Sequence, residues 1–555
     1  MIFERKIWVI TSALPYANGE LHIGHIRSTY LPADIFTRFL KMKGFKAYHV
    51  CGTDEHGTPI LARAIEEKKT PKEVVDYYHE IIKRALQRTH IAFDIFSRTT
   101  KPHHYKMTQE FYKRAKKAGY IYIKEIPILY CEHDNIALPD RLVKGNCPYC
   151  GAPNQYGDHC EVCGRTYSAF QLKNPRCVIC GNPPVIKHSK HAFFALSEFT
   201  DRLEKWVKNK LKLTKGVKEH VLHWIREKLQ DWDITRDINW GVPVPDIPNQ
   251  VFYVWWDAPI GYVSFTKELF ERIGEDWASV WIEGNGYIVH FIGKDIIYHH
   301  VLFWPAMLMA NDFALPNEIR VRGFATLEGE KMSKSRGIYI GLEEFIRYWP
   351  AEYLRFYWGS TTPESLDDGD FSLREYRERI NKMLIGEIGN FIHRVLTLIK
   401  RGNICEGNID ENLLKRALNL FNEYENKMIS NQFNEAIECV ILIARLGNKV
   451  LSETEPWRNL QTETSRKILI TLFNFIRLIS IALSPILPVS ARKLREMLNI
   501  PPTENIAYNN VLNSLDRNFT LESIRRFITE VKKVKPLFRK ITENEIKRLR
   551  SKLRL

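Results

Sequence analysis

Residues 7–27, IWVITSALPYANGELHIGHIR, constrain the fold more than any other stretch of this chain. The β-branched apolar run at 7–10 predicts a buried strand. Pro15, Asn18 and Gly19 predict a turn, and the apolar-periodic run over 26–40 predicts a helix whose start carries His22-Ile23-Gly24-His25. Strand, loop and helix N-terminus in that order favour a bound anion, because free amides and the helix dipole both attract negative charge. Two imidazoles three residues apart share one helix face, and each can donate a hydrogen bond to a phosphate oxygen.

On its own, a pair of histidines flanking a glycine reads equally well as an ordinary turn. A second signal decides between the two readings. Lys331-Met332-Ser333-Lys334-Ser335, followed by Arg336-Gly337, supplies a compact cationic loop far downstream. In this order, HIGH and KMSKS resemble the paired signatures of the class I aminoacyl-tRNA synthetases. No GxGxxG fingerprint and no GxxxxGK[ST] loop occurs in the chain, so a nucleotide must be held by another device, with the two histidines as its best candidates.

A chain of 555 residues predicts two to four domains. A formal charge of +16 points to a polyanionic partner such as nucleic acid. No run of 18 apolar residues occurs and the first residues, MIFERKIWV, lack a signal-peptide pattern; the expectation is a cytoplasmic protein with no membrane partner. Of ten cysteines, six form three CxxC pairs: Cys147/Cys150, Cys160/Cys163 and Cys177/Cys180. In a large cytosolic chain such spacing predicts zinc rather than disulfides. The first two pairs make a four-thiolate set expected to hold one structural zinc. Cys177 and Cys180 need two further ligands, for which Cys131 with Asp134, or Cys131 with His133, are the candidates.

Alternating strand and helix signals over 1–115 predict the first half of a parallel α/β sheet, with a second strand at 47–52 ending in Thr53-Asp54-Glu55-His56-Gly57. Residues 116–232 read as an inserted module of cysteine, proline, glycine and short strands, closed by an amphipathic helix over 200–232 with Leu203, Trp206, Leu211, Val221, Trp224, Ile225 and Leu229 buried. The sheet is expected to resume over 233–325, near 251–256 and 287–293. The KMSKS loop and a stem-contact region follow at 326–384, and 385–555 reads as an all-α bundle. Its last stretch, 521–555, carries twelve Lys/Arg against four acids. The fold class is thus α/β, Rossmann-like, with an inserted zinc-knuckle module and a C-terminal helical domain.

Longer blocks sharpen the resemblance to the methionyl-tRNA synthetase family of archaeal and eukaryotic type. They are Ser12-Ala13-Leu14-Pro15-Tyr16-Ala17-Asn18-Gly19, CGTDEHGTPI at 51–60, Asp233-Ile234-Thr235-Arg236-Asp237, VWWDAPIGY at 254–262, and Gly293-Lys294-Asp295-Ile296-Ile297-Tyr298. Weaker matches at Gly389-Asn390-Phe391 and Glu455-Pro456-Trp457 extend it over most of the chain. The resemblance implies activation of L-methionine by ATP, with Mg²⁺, and its transfer to tRNA(Met). His22, Gly24, His25, Asp295, Lys331, Ser333 and Lys334 would hold ATP, with His22, His25, Lys331, Lys334 and Arg236 catalytic. Ala13, Leu14, Tyr16, Asp54, Trp255, Ala258, Pro259, Tyr262 and His300 would hold methionine, and Asn390, Arg394 and Trp457 the anticodon. Arg322-Gly323-Phe324 departs from the family's usual His-Gly before KMSKS. The chain stops at 555 without the appended domain of many relatives, so a monomer is expected, with room for a separate tRNA-binding protein in trans.

Three other readings fit less well. Synthetases of the Leu/Ile/Val group share HIGH and KMSKS but carry a far longer insertion. Cysteinyl-tRNA synthetase places its zinc ligands inside the active site. A non-catalytic RNA-binding paralogue would be expected to have lost His22, His25 or Lys334, and all three are present.

Overall fold

The computed structural model describes residues 6–157, 160, 162–163, 165, 167–332, 338–498 and 515–553. Three parallel strands come first: β1 (Trp8–Ser12), β2 (Ala47–Thr53) and β3 (Ile95–Arg98). An antiparallel ribbon of β4 (Ile121–Cys131) and β5 (Val185–Phe194) follows, paired from Ile121↔Phe194 to Tyr130↔Val185. Then β6 (Tyr287–Gly293) and β7 (Glu318–Arg322) complete a parallel sheet of order β7-β6-β1-β2-β3. All five residues of β1 and all seven of β6 are buried, the continuous apolar pattern of a sheet covered on both faces. β1 lies between β2 and β6, so the strand order reverses there, and open α/β sheets bind ligands outside the carboxyl ends of such strands.

The first helix is broken where the sequence predicts a regular one. Ile23–His25 is α-helical, Ile26–Tyr30 is a π-turn, and Leu31–Met42 continues as α-helix. Pro32 explains the break: it lacks an N–H for the carbonyl four residues back, so the register shifts by one just before it. The π-turn His299–Phe303 precedes Pro305 in the same way. Both π-turns carry residues of the cavity described below.

Two expectations are corrected. The segment 200–232 is two helices, Thr200–Asn209 and Lys215–Arg226, with extended chain between them. Lys212 bridges to Glu318 there, with Lys212 N–H on Asn317 O and Ile319 N–H on Lys212 O. The break thus supplies backbone partners to the edge strand β7. Of the predicted stripe only Trp224 is not fully buried. Residues 251–256 do not join the parallel sheet either: Val251–Phe252 pairs antiparallel with Thr235–Arg236 in a separate two-stranded sheet, and Val254–Asp257 is helical. Trp255, Ala258, Pro259 and Tyr262 stand at i, i+3, i+4 and i+7, a helical face, and that face lines the cavity.

The inserted module is anchored on a long ribbon rather than built only from short strands. Beyond residue 390 the described chain is helical: Asn390–Gly402, Glu411–Ile429, Phe433–Thr454, Glu463–Ala482, Pro488–Met497, Arg517–Glu530 and Glu543–Leu553. One continuous hydrophobic core runs from β1 and the first helix into this bundle. Arg355 is buried where they join. It pairs with Asp34 at 2.6 Å and donates to the carbonyls of His90, Pro485 and Ile486.

Candidate active site

A cavity of about 480 Å³ opens at the carboxyl ends of β1, β2 and β6. Every residue assigned to methionine lines it: Ala13, Leu14, Tyr16, Asp54, Trp255, Ala258, Pro259, Tyr262 and His300. So do His22, Gly24, His25 and Asp295 from the nucleotide set. Ile296, Phe324, Ala325 and Met332 also line it; the sequence reading had not assigned them. Phe324 follows directly on the Arg322-Gly323 departure noted above. Arg322 itself is fully buried away from the cavity, between the rings of Phe291 and Phe433, with Nη2 on Asn431 O at 3.1 Å. That side chain joins sheet and bundle instead of contacting a ligand.

The two histidines orient each other. His22 Nδ1 accepts the Gly24 N–H at 3.2 Å, and His25 Nδ1 accepts the His22 N–H at 3.1 Å. A neutral imidazole whose Nδ1 accepts carries its proton on Nε2, the tautomer that can donate to a phosphate oxygen. The ring centroids are 3.8 Å apart. Gly24 eases the packing between them, since a Cβ there would stand a tight 3.0 Å from Ala325 Cβ and 3.1 Å from the His22 ring.

The other end of the cavity is apolar with one buried carboxyl. Asp54 is 4% exposed and its Oδ1 has no hydrogen-bond partner among the described residues. Burial, then the neighbouring Asp257, push its carboxyl well above the ordinary range. Asp257 behaves oppositely: burial would raise it, but His56 Nδ1 and His104 Nε2, each at 2.5 Å, hold it down at about 2. Burial lowers His300 to about 4. Its neutral ring therefore donates from Nδ1 to Ile296 O and accepts at Nε2 from the Tyr262 hydroxyl at 2.8 Å. Trp255 stacks on His299 with centroids 3.6 Å apart. The result is a soft aromatic wall in which Tyr262 and His300 pair their polar atoms, suited to an unbranched apolar side chain, and a carboxyl placed for a cation.

One catalytic candidate stands apart from the cavity. Arg236 lies outside its lining, on Asp233 at 3.0 Å and 4.0 Å over the Tyr253 ring. Lys331 ends the hairpin Ala325–Leu327/Glu330–Lys331, while Ser333 and Lys334 fall outside the described residues. The hairpin turn is Glu328-Gly329, both with positive φ. Asp370 holds it from below through Thr326 Oγ1 and the Gly329 N–H.

Two four-ligand clusters form in the insertion. Cys147, Cys150, Cys160 and Cys163 bring their sulfurs together, with Cys147–Cys163 at 3.8 Å and Cys150–Cys160 at 3.6 Å. Cys131, Asp134, Cys177 and Cys180 form the second. Asp134 Oδ2 stands 3.0 Å from Cys177 Sγ and 3.3 Å from Cys131 Sγ. His133 is 66% exposed in its side chain and touches only the outer oxygen of Asp134, so Asp134 and not His133 completes the set. Gly151 and Gly181, at φ +75 and +77, make the tight turn after each described CxxC. Sulfur–sulfur separations near 3.8 Å are those of a tetrahedron with bonds of about 2.3 Å.

In the bundle, Asn390 and Arg394 share one helix, and Arg394 lies 5.5 Å over the Trp457 ring. Trp457 sits in a 3-10 turn, Pro456–Arg458, after the helix Phe433–Thr454 ends at left-handed Glu455. The proline breaks the helix as its sequence position predicts.

Comparison with known proteins agrees with this geometry. The family described as tRNA synthetases class I (M) matches residues 8–396, and the anticodon binding domain of methionyl tRNA ligase matches 402–554. Methionine–tRNA ligase of Methanopyrus kandleri is 43% identical, covering 98% of this chain and 81% of that protein. The Pyrococcus furiosus protein of the same name is also 43% identical, over 89% and 72%. The crystal structure of Mycobacterium tuberculosis methionyl-tRNA synthetase bound by methionyl-adenylate superposes with a TM-score of 0.73 at 25% identity, covering 90% of this chain and 95% of that one.

Proposed function

The chain belongs to the methionyl-tRNA synthetase family of class I tRNA synthetases, and we propose from that premise how its own residues perform the reaction. The activity is that of a methionine–tRNA ligase: methionine is activated with ATP and transferred to tRNA. In the first step the methionine carboxylate attacks the α-phosphorus and pyrophosphate leaves. In the second a hydroxyl of the tRNA 3′ end attacks the activated carbonyl and AMP leaves.

The observation that carries the reading is one cavity lined by the mutually oriented imidazoles of His22 and His25 and by the buried carboxyl of Asp54. Positioning and electrostatic stabilisation are what phosphoryl chemistry asks of a protein. His22 and His25 donate to phosphate oxygens, Asp295 takes the ribose, and Lys331 and Lys334 close from the KMSKS side. Mg²⁺, arriving with ATP, neutralises phosphate charge. Asp54 takes the methionine ammonium, and the Trp255–Tyr262–His300 wall takes the thioether, where sulfur–ring contacts add up to about 1.5 kcal/mol. Arg236 turns from Asp233 toward the reacting phosphate.

Both insertion clusters are read as structural zinc sites, since four protein ligands leave no open position for catalysis. Three CxxC pairs used as metal ligands rather than disulfides suit a reducing cytoplasm, and among the described residues no helix is long and apolar enough to cross a membrane. Asn390, Arg394 and Trp457 read the anticodon. The catalytic domain is taken as 1–115 and 233–325 around the insertion 116–232, with the KMSKS and stem-contact region at 326–384 and the anticodon domain at 385–555. The assembly is taken as a monomer, which light scattering near 65.2 kDa supports and twice that mass removes. Transfer of labelled methionine to a tRNA(Met) transcript tests the overall reaction.

A further inference from the structure

His191 belongs to the insertion, on β5, yet it touches the strand segment that carries Arg236. It is 3% exposed and lies between two carboxylates. Nδ1 stands 2.8 and 2.9 Å from the two oxygens of Asp233, and Nε2 stands 2.7 Å from Asp237. Ionised carboxylates only accept, so both ring nitrogens donate and the ring is an imidazolium. Burial alone would discharge it; its hydrogen bonds to Asp233 and Asp237 outweigh burial and hold it up at about 9.

Asp233 is not exclusive to His191. The same carboxylate holds Arg236 Nη1 at 3.0 Å, and Nη1 also reaches the carbonyls of Asp233 and Thr235 at 3.2 and 2.7 Å. Two cations and two anions thus form one cluster, and its geometry is set by β5. Asp233 pairs with Phe193, Ile234 donates to Ala192 O, and Ala192 donates to Thr235 Oγ1. Tyr253, under the guanidinium, is two residues from Trp255 of the cavity wall.

We propose that His191 is a positioning residue for Arg236: by sharing Asp233 it limits that carboxylate's grip on the guanidinium and so governs how readily Arg236 turns to the substrate. The inference rests on the catalytic reading of Arg236 given above. With His191 neutral, Asp233 answers to Arg236 alone and the parked pose tightens. The insertion thereby contributes a charge, as well as its metal knuckles, to the activation step.

A double-mutant cycle in ATP–pyrophosphate exchange tests this, using His191→Gln, Arg236→Gln and the pair. The expected result is a roughly tenfold fall in kcat for H191Q, with KM for methionine and ATP within about twofold, and no further fall when H191Q is added to R236Q. Additive losses, or an unchanged kcat in H191Q, would overturn the proposal while leaving Arg236's role intact. Normal exchange in R236Q would remove Arg236's role and His191's with it. Should H191Q fail to fold, the H191Q/D233N pair, in which a missing cation is matched by a missing anion, carries the same test: its kcat should equal that of D233N, and a lower value overturns the proposal.

Discussion

Asp54 bears the consequence of Asp257's charge. Asp257 is clamped by two histidines and stays ionised down to about pH 2, and that permanent negative charge adds to burial in raising the Asp54 carboxyl. A settled carboxylate therefore lies buried beside the pocket, and Asp54, which lines it, gains by meeting a cation.

The first prediction concerns that second carboxylate. Methionine's ammonium needs Asp54 ionised, so KM for methionine should rise as pH falls through the raised Asp54 value, at a pH above the ordinary carboxylate range. The stability sign is the reverse. A carboxyl raised on folding costs stability as pH climbs from its unfolded to its folded value, so Asp54→Asn should abolish exchange yet raise the Tm of the empty protein at neutral pH. A lowered Tm would show that Asp54 holds the fold rather than the ligand.

The imidazoles give the second. Removing one oxyanion-type donor costs about 2.7–4 kcal/mol, so His25→Ala should slow activation by roughly two orders of magnitude or more. The same is expected of Lys334→Ala. Methionine binding, measured by calorimetry without ATP, should barely move. Near-normal exchange in His25→Ala would remove the phosphate role.

For the metals, elemental analysis should return two zinc equivalents per chain. Asp134→Ala should lose one, and His133→Ala should keep both. One equivalent in the unmodified protein would remove the site at Cys131, Asp134, Cys177 and Cys180.

Trp457 tests the division between the two halves. A lost stacking platform costs about 1–3 kcal/mol per base, so Trp457→Ala should slow tRNA charging by roughly tenfold or more while exchange stays intact, since activation needs no tRNA. Equal loss of both activities would make Trp457 a packing residue.

Much of this site was legible in the sequence because its residues come in contiguous blocks at strand ends. Ala13, Leu14 and Tyr16 follow β1, Asp54 follows β2, and Asp295 follows β6, where topology alone predicts ligand contacts. What escaped depends on contacts distant in sequence. The apolar run at 251–256 reads as a strand until its 255, 258, 259, 262 spacing is seen. The break at 210–214 is set by the edge of β7, and the π-turns by Pro32 and Pro305. Asp134 over His133 was decided by where Cys177 lies. Arg236's parked pose and its tie to His191 arise from a ribbon 42 residues upstream of Asp233, a relation that no local pattern encodes.

The central claim is that the cavity joining Asp54, the Trp255–Tyr262–His300 wall and the two oriented imidazoles activates methionine. Amino-acid-dependent ATP–pyrophosphate exchange, run with each standard amino acid in turn, tests it most directly. Exchange with methionine far above every other amino acid is the predicted result; exchange led by another amino acid, or absent with methionine, would contradict it.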